Sequence, residues 1–200
     1  MDFVGTAKRL EDGDIATIAE QIGVEEASLR AVLQVETGGK GYDAKNRPKA
    51  LFERHKFWKE LADTPDLQAN AAGLGLAYPK WGEKLYPKDS DGVYSEISAA
   101  CEIDLDGALR STSWGLGQIM GSNYRMVGCA TVQDMVEQAK QSEVMQLQQW
   151  VGFVKSANLL QALKNKDWAA FAKGYNGPGY ATNKYDVKLA AAYDKFSSVA

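Results

Sequence analysis

A glutamate at the end of a predicted helix is the first residue whose setting suggests chemistry. Glu36 follows Leu29, Val32 and Leu33 at the spacing i, i+3, i+4 and i+7, so it lies on the same helical stripe as these apolar side chains. Burial disfavours a charged carboxylate, and the negative end of the helix dipole acts in the same direction, so both effects predict a raised pKa. A carboxyl group that stays protonated near neutral pH can act as a general acid, as cleavage of a glycosidic bond requires.

Two further segments combine glycines with hydrogen-bonding side chains. Ser113–Gly121 reads Ser-Trp-Gly-Leu-Gly-Gln-Ile-Met-Gly, and Gly174–Gly177 reads Gly-Tyr-Asn-Gly. Glycines let a backbone approach a ligand closely, and the amide of Gln118 offers a donor and an acceptor to the hydroxyl and N-acetyl groups of a sugar. The first segment could instead be a tight turn between two helices. Trp114 could stack on a sugar ring, or it could be a core residue.

A second carboxylate is needed if the chain is a glycoside hydrolase. That group lies about 5 Å from the acid when it is a nucleophile and ~6.5–9.5 Å away when it is a base. Glu53, in the run Leu-Phe-Glu-Arg-His, is the preferred candidate, and Asp43 is the other. Glu53 could equally pair with Arg54 or Lys56 at the surface.

The single histidine, His55, gives no sign of a different chemistry. No Ser or Cys nucleophile arrangement is recognisable near it, which argues against a hydrolytic triad. No His/Cys cluster has the spacing of a zinc site, so neither a metal nor another cofactor is predicted. We interpret His55 as a hydrogen-bonded structural residue, with a place in a cleft wall as the alternative.

Composition supports one sizeable globular domain and argues against a polyanionic partner. The 200 residues are 45% hydrophobic and carry a formal net charge of −3, so nucleic acid is not expected as a partner. A local group of cations between positions 45 and 56 is interpreted as a solvated face. Cys101 and Cys129 stand alone in the sequence, which suits a reducing compartment, although a disulfide between them stays open.

Helical periodicity dominates the chain. The first predicted helix is capped by Asp12 or Asp14, and the second runs from Glu25 to Glu36 or Thr37 and is ended by Gly38-Gly39. The remaining predicted helices are Val93–Leu109, Val132–Lys140, Glu143–Leu163, Asp167–Tyr175 and Asn183–Ser197. Residues 49–61 could be a short strand or a helix, 40–48 a loop or hairpin, and 64–90 an irregular lobe or a long surface connection.

The three segments together resemble the signatures of lytic transglycosylases and goose-type lysozymes. Those enzymes carry Glu-Ser, Gly-Leu-Met-Gln and Ala-Tyr-Asn, where this chain has Glu36-Thr37, Gly115-Leu116-Gly117-Gln118 and Gly174-Tyr175-Asn176. The departures are Thr37 for Ser, Gly117 for Met and Gly174 for Ala. The missing methionine side chain implies a different fine shape for the sugar site.

A resemblance to the N-acetylmuramidase catalytic domain of bacteriophage endolysins covers nearly the whole chain. It rests on Ala50–His55, on the Ser113–Gly121 segment and on Tyr175-Asn176-Gly177. It implies a mainly α, lysozyme-like single domain over residues 1–200, with a small irregular or short β-hairpin lobe and no separate wall-binding module. It also implies Glu36 as the proton donor.

The resemblance places further residues around a bound muramyl sugar. These predicted substrate-binding residues are Ser113, Gly115, Gln118, Tyr175 and Asn176, and Glu53 is the predicted second catalytic residue. The expected substrate is the glycan strand of peptidoglycan, hydrolysed between N-acetylmuramic acid and N-acetylglucosamine by a monomer.

The N-terminus sets an expectation about where such an enzyme is made. It lacks a basic segment followed by an apolar run, and no segment approaches the ~20 apolar residues of a membrane span. We expect synthesis in the host bacterial cytoplasm without a signal peptide, and action on the wall once the membrane is permeabilised.

Three other functions stay open from sequence. A lytic transglycosylase uses one glutamate and gives 1,6-anhydro products. A non-catalytic peptidoglycan binder would keep Gln118, Tyr175 and Asn176 but would have little use for a buried Glu36. A helical interaction domain without a sugar site leaves the three ordered segments unexplained.

Overall fold

Helices make up most of the chain, with one small sheet inserted among them. The computed structural model describes residues 1–11, 13–37 and 40–198, except for the side chain of Thr37. Its helices are α1 (Asp14–Ile22), α2 (Glu26–Thr37), α3 (Arg54–Glu60), α4 (Pro65–Gly73), α5 (Ser90–Ile103), α6 (Leu105–Arg110), α7 (Val132–Gln141), α8 (Glu143–Ser156), α9 (Leu160–Lys164), α10 (Trp168–Asn176) and α11 (Tyr185–Ser197). Short 3₁₀ turns lie before α7, at Gly121–Asn123, and before α11, at Pro178–Ala181.

The sheet is antiparallel and has three short strands. These are β1 (Ala50–Phe52), β2 (Thr112–Trp114) and β3 (Ile119–Met120), in the order β1-β2-β3. Leu51 lies opposite Ser113 in the register. The glycine-rich segment is therefore the hairpin between β2 and β3, and the interpretation as a turn between two helices is wrong. The expected mainly α fold with a short β-hairpin lobe is confirmed.

Local backbone signals divide two of the predicted helices. The predicted helix Val93–Leu109 is interrupted at Asp104, whose backbone is extended and whose carboxylate caps α6 by accepting the Gly107 amide at 3.0 Å. The predicted helix Glu143–Leu163 ends early because Asn158 adopts a left-handed φ of 58°.

The region predicted to be irregular contains the regular helix α4, which begins with Pro65. Residues 49–61 contain both predicted elements, the strand β1 followed by α3. Asp12, one of the two predicted caps, and Gly38-Gly39, the predicted helix end, lie outside the described residues.

The apolar stripe of α2 lies at the centre of the fold. Leu29, Val32 and Leu33 are buried, and α2 packs against both α1 and α11. The core continues through α8 and α10, where the Trp150 ring lies 6.4 Å from that of Phe171. The buried stripe fixes the direction in which the C-terminal end of α2, with Glu36, points.

Two buried polar side chains on α8 fasten three separate segments to that core. The Glu143 carboxylate accepts hydrogen bonds from the backbone amides of Leu10 at 2.9 Å and Gly41 at 2.8 Å. One turn later, the Gln146 side chain accepts from the Leu116 amide at 2.8 Å and donates to the Ala139 carbonyl at 2.8 Å. The N-terminal segment, the loop after α2 and the β2–β3 hairpin therefore all meet on α8.

The backbone of the hairpin approaches Gln146 so closely that a side chain at Gly115 has no room. A Cβ atom at Gly115 would lie 2.7 Å from the Gln146 side-chain carbon Cδ, and the φ of Gly115 is +68°. Both the contact and the backbone angle require glycine at this position.

Trp114 and the two cysteines have definite places in the structure. Trp114 is 2% exposed and donates its indole N–H to the Leu109 carbonyl, so it is a core residue and does not present a face to sugar. Cys101 and Cys129 are both free thiols. Among the helices of the described ranges, none combines the length and apolar character needed to cross a lipid bilayer.

Replacing Gln146 by leucine should destabilise the protein. The Gln146→Leu side chain fills similar space but leaves the Leu116 amide buried without a partner, while the Ala139 carbonyl keeps the hydrogen bond from the Tyr42 hydroxyl. We expect the free energy of unfolding to fall by about 2 kcal/mol, which lowers Tm by roughly 6 °C. Chemical and thermal unfolding measure both quantities.

The matched control is Gln148→Leu, at an exposed position of the same helix. It should change the free energy of unfolding by less than about 0.5 kcal/mol. Equal effects of the two substitutions would contradict the fastening role of Gln146.

Candidate active site

Glu36 lies in the wall of an open groove between the helical core and the small sheet. The groove has a volume of about 500 Å³. Its walls come from the end of α2, the start of β1, the β2–β3 hairpin and the segment that leads into α5. The lining residues are Glu36, Lys49, Ala50, Leu51, Pro87, Lys88, Asp89, Ser90, Val93 and Gln118.

The environment of Glu36 favours its protonated form. Burial raises the pKa of this carboxyl group, as the apolar stripe predicted, while a hydrogen bond from Asn176 and the positive charge of Lys188 act in the opposite direction. The Asn176 side-chain nitrogen Nδ2 lies 3.2 Å and 3.4 Å from the two Glu36 carboxylate oxygens. The site therefore holds a partly desolvated acid, and the Asn176 amide can donate hydrogen bonds to its carboxylate form.

Helix α10 supplies both members of the predicted Tyr-Asn pair. Tyr175 donates its hydroxyl to the Gly117 carbonyl at 2.6 Å, and burial raises the pKa of Tyr175 well above its ordinary value, so the hydroxyl stays a donor. Its ring stacks on Phe171 and meets the edge of Phe153, with centroid distances of 5.5 Å and 5.6 Å. The hydrogen bond joins α10 to the hairpin and the Phe153 contact joins it to α8, so the end of α10 is held where Asn176 contacts Glu36.

The hairpin residues predicted to bind sugar mostly bind each other. The Gln118 amide nitrogen donates to the carbonyls of Gly115 at 2.9 Å and Lys49 at 3.2 Å, and its oxygen accepts from the Ser113 hydroxyl at 3.2 Å. Ser113 is 5% exposed. The structure thus brings Glu36, Gln118, Tyr175 and Asn176 together, but it buries Ser113 behind Gln118.

Two departures from the related signatures follow from local packing. A Cβ atom at Gly117 would lie 2.8 Å from the Trp150 ring, so the hairpin of this chain has no space for the methionine of the related enzymes. A Cβ atom at Gly174 would lie 2.2 Å from a Leu159 methyl group, which explains glycine in place of alanine. The third departure, Thr37, concerns a side chain outside the described residues.

The structure does not bring Glu53 to the groove. Its carboxylate accepts a hydrogen bond from the Tyr86 hydroxyl and lies 3.4 Å from His55 Nδ1. Burial and this hydrogen bond raise the pKa of Tyr86 to about 12, and burial lowers the pKa of His55. Arg54, the neighbour considered as an ion-pair partner of Glu53, is buried and binds Glu96 instead, at 2.7 Å.

The other candidate carboxylate, Asp43, belongs to the loop after α2. It accepts hydrogen bonds from the backbone amides of Lys45 and Arg47, both at 2.9 Å, and pairs with the Arg47 guanidinium at 2.6 Å. These contacts order the loop, and Asp43 does not line the groove within the described part of the chain.

Three charged residues of the groove are not among the predicted site residues, and one of them, Lys49, belongs to the group of cations interpreted as a solvated face. Lys49 precedes β1, and Lys88 and Asp89 precede α5. The signal at Asp89 is the pattern Asp-x-x-Gly before a helix, which predicts a cap and says nothing about a groove. No group of three or more His, Cys, Asp or Glu side chains within the described ranges is arranged to hold a metal ion.

Comparison with known proteins shows the family of this chain. The family model of N-acetylmuramidase matches residues 25–197. Comparison with curated proteins gives no match. The chain is similar to a solved structure described as the crystal structure of Burkholderia AP3 phage endolysin, with 39% sequence identity and a TM-score of 0.84 over 96% of this chain and 73% of that chain. The chain therefore belongs to the N-acetylmuramidase family and is a peptidoglycan-degrading muramidase.

Proposed function

We propose that this muramidase hydrolyses the β-1,4 bond between N-acetylmuramic acid and N-acetylglucosamine, with Glu36 as the general acid. One observation carries the proposal: a carboxyl group whose pKa is raised by burial opens into a groove of about 500 Å³. A group that remains protonated can transfer its proton to the departing glycosidic oxygen as the C1–O bond breaks.

The groups around Glu36 suit the carboxylate that forms once the proton has left. The Asn176 amide donates to both carboxylate oxygens, and Lys188 contributes a positive charge from α11. Together they limit the cost of the charged state in a partly buried site. Glu36 can therefore lose its proton to the substrate and regain one from solvent.

The charge of the groove fits a peptidoglycan strand. Lys49 and Lys88 both line it, and the peptides attached to muramic acid carry carboxylates that a lysine can attract. Gln118 and Tyr175 hold the hairpin wall, so their contribution to binding is the shape of the sugar site. The enzyme is expected to act on the cell wall as a monomer, without nucleic acid or a lipid bilayer as a partner.

The second carboxylate predicted from sequence, Glu53, stays a prediction. Its hydrogen bond with Tyr86 and its contact with His55 favour a role in ordering the segment before α5. The two alternatives to hydrolysis differ in products: a transglycosylase leaves 1,6-anhydromuramic ends, and a binding domain leaves the strands intact. The cost of burying Glu36 argues against the binding domain, which has no need of an acid.

Replacing Glu36 by glutamine should abolish most of the activity. Glutamine keeps the size of the side chain and one oxygen that can accept from Asn176, but it has no acidic proton to give. We expect the Glu36→Gln rate of peptidoglycan cleavage to fall ~10²–10⁴-fold. Mass spectrometry of released fragments should show reducing muramic acid ends from the wild type.

Glu20→Gln, at an exposed position of α1, is the control and should keep the wild-type rate. Lysis by Glu36→Gln at the wild-type rate would contradict the assignment of the acid. Anhydro ends from the wild type would contradict hydrolysis.

Removing the Asn176 amide should shift the pH dependence of the enzyme upward. The hydrogen bond from Asn176 stabilises the charged carboxylate and lowers the pKa of Glu36, so Asn176→Ala raises that pKa further. A proton donor with a higher pKa stays protonated to a higher pH. The alkaline limb of kcat/KM against pH should therefore move to higher pH, whatever the change in KM.

The control for this shift is Asn183→Ala, at an exposed position before α11. The alkaline limb of kcat/KM against pH should be the same in Asn183→Ala as in the wild type. A limb that moves to lower pH in Asn176→Ala would show that the amide does not act on the charged form of Glu36.

A further inference from the structure

Two carboxylates line the described part of the groove, and one of them has no role in the proposed function so far. Glu36 comes from α2, and Asp89 comes from the segment that leads into α5. Asp89 is exposed. One of its oxygens, Oδ1, accepts the Gly92 backbone amide at 2.8 Å, which caps α5.

The second oxygen of Asp89 is available for chemistry. Within the described ranges, no hydrogen bond or ion pair of this carboxylate is seen apart from the bond from Gly92. The capping bond holds one oxygen in place and thereby restricts the position of the other. An anchored carboxylate at the wall of a sugar groove can bind a water molecule and accept its proton.

We infer that Asp89 is the general base of the muramidase and activates the water that attacks the sugar. The inference rests on the proposed function, in which Glu36 is the acid. Glu36 gives its proton to the glycosidic oxygen, and the C1–O bond to that oxygen breaks. Asp89 takes one proton from water as the water oxygen bonds to C1, so the products are two hydroxyl ends and one water is consumed.

The assignment of Asp89 as a base also predicts the stereochemistry. Glu36 and Asp89 belong to different elements of the groove wall. Where one carboxyl group protonates the leaving oxygen and a second carboxylate activates water, the water attacks C1 from the face opposite the leaving group. Cleavage of a β bond should therefore release muramic acid first as the α anomer.

The chain contains a matched control for the capping role of Asp89. Asp104 caps α6 in the same way, by accepting the Gly107 amide at 3.0 Å in the same Asp-x-x-Gly pattern, and it does not line the described groove. Asparagine and serine cap helices about as well as aspartate, but neither can serve as a base. If Asp89 only caps α5, substitution by asparagine or serine should leave the rate of cleavage unchanged. If Asp89 is the base, the same substitutions should lower the rate and leave the stability unchanged.

The experiment compares Asp89→Asn and Asp104→Asn on purified peptidoglycan and records Tm for each. We expect Asp89→Asn to cleave at least ~100-fold more slowly than the wild type, with a Tm within roughly 3 °C of it. Asp104→Asn should keep its rate within about twofold, since the cap is preserved. NMR of the first product of the wild type should show the α anomer.

A second variant separates a base from a residue that only positions others. Asp89→Ser preserves the cap and leaves space beside C1, so added azide should replace the activated water and give a glycosyl azide of inverted configuration. Asp104→Ser should give no such product. This test does not depend on the stability of the variant. It asks whether a glycosyl azide forms, and a loss of stability cannot produce that compound.

The outcomes are distinct for the inference and for the proposed function. If Glu36→Gln is inactive while Asp89→Asn keeps its rate, the inference about Asp89 is wrong and the acid stands. A slow Asp89→Asn without azide rescue in Asp89→Ser, or a β anomer as the first product, also overturns the inference. A fully active Glu36→Gln overturns the proposed function and the inference together.

Discussion

The buried polar pair Glu143 and Gln146 on α8 is the contact on which the arrangement of the site depends. Their side chains supply hydrogen bonds to the N-terminal segment, to the loop after α2 and to the β2–β3 hairpin. Buried polar groups of this kind destabilise a fold when they lack partners and specify one geometry when each is satisfied. Since the hairpin contributes Gln118 to the groove and the loop bound by Glu143 follows the helix that carries Glu36, the pair helps to position two parts of the groove wall.

The properties of Glu36 result from a balance between burial and two stabilising groups. The apolar stripe of α2 carries the carboxyl group into a partly desolvated position, which raises its pKa, and Asn176 and Lys188 restrain the rise. Tyr175 fixes Asn176 by bonding to the hairpin carbonyl of Gly117. A change in the packing of α10 against the hairpin should therefore move Asn176 and alter the pKa of Glu36.

Local patterns in the sequence predict the helices and the burial of Glu36, because both depend on the spacing of neighbouring residues. The sheet depends on a contact that local patterns do not contain, since β2 pairs with β1, a strand about sixty residues earlier in the chain. Glutamine is mostly an exposed residue, so the sequence does not predict the burial of Gln146 against Gly115. The sequence around Asp89 predicts a helix cap, and its place in the same groove as Glu36 follows from tertiary structure alone.

The pKa of Glu36 in the folded enzyme tests the central claim most directly. Carbon-13 NMR of the glutamate carboxyl groups, assigned by comparison with Glu36→Gln, follows its ionisation without depending on substrate. Burial on the α2 stripe predicts a titration midpoint above the ordinary value of an exposed glutamate. A midpoint at or below that value would contradict the role of Glu36 as the proton donor.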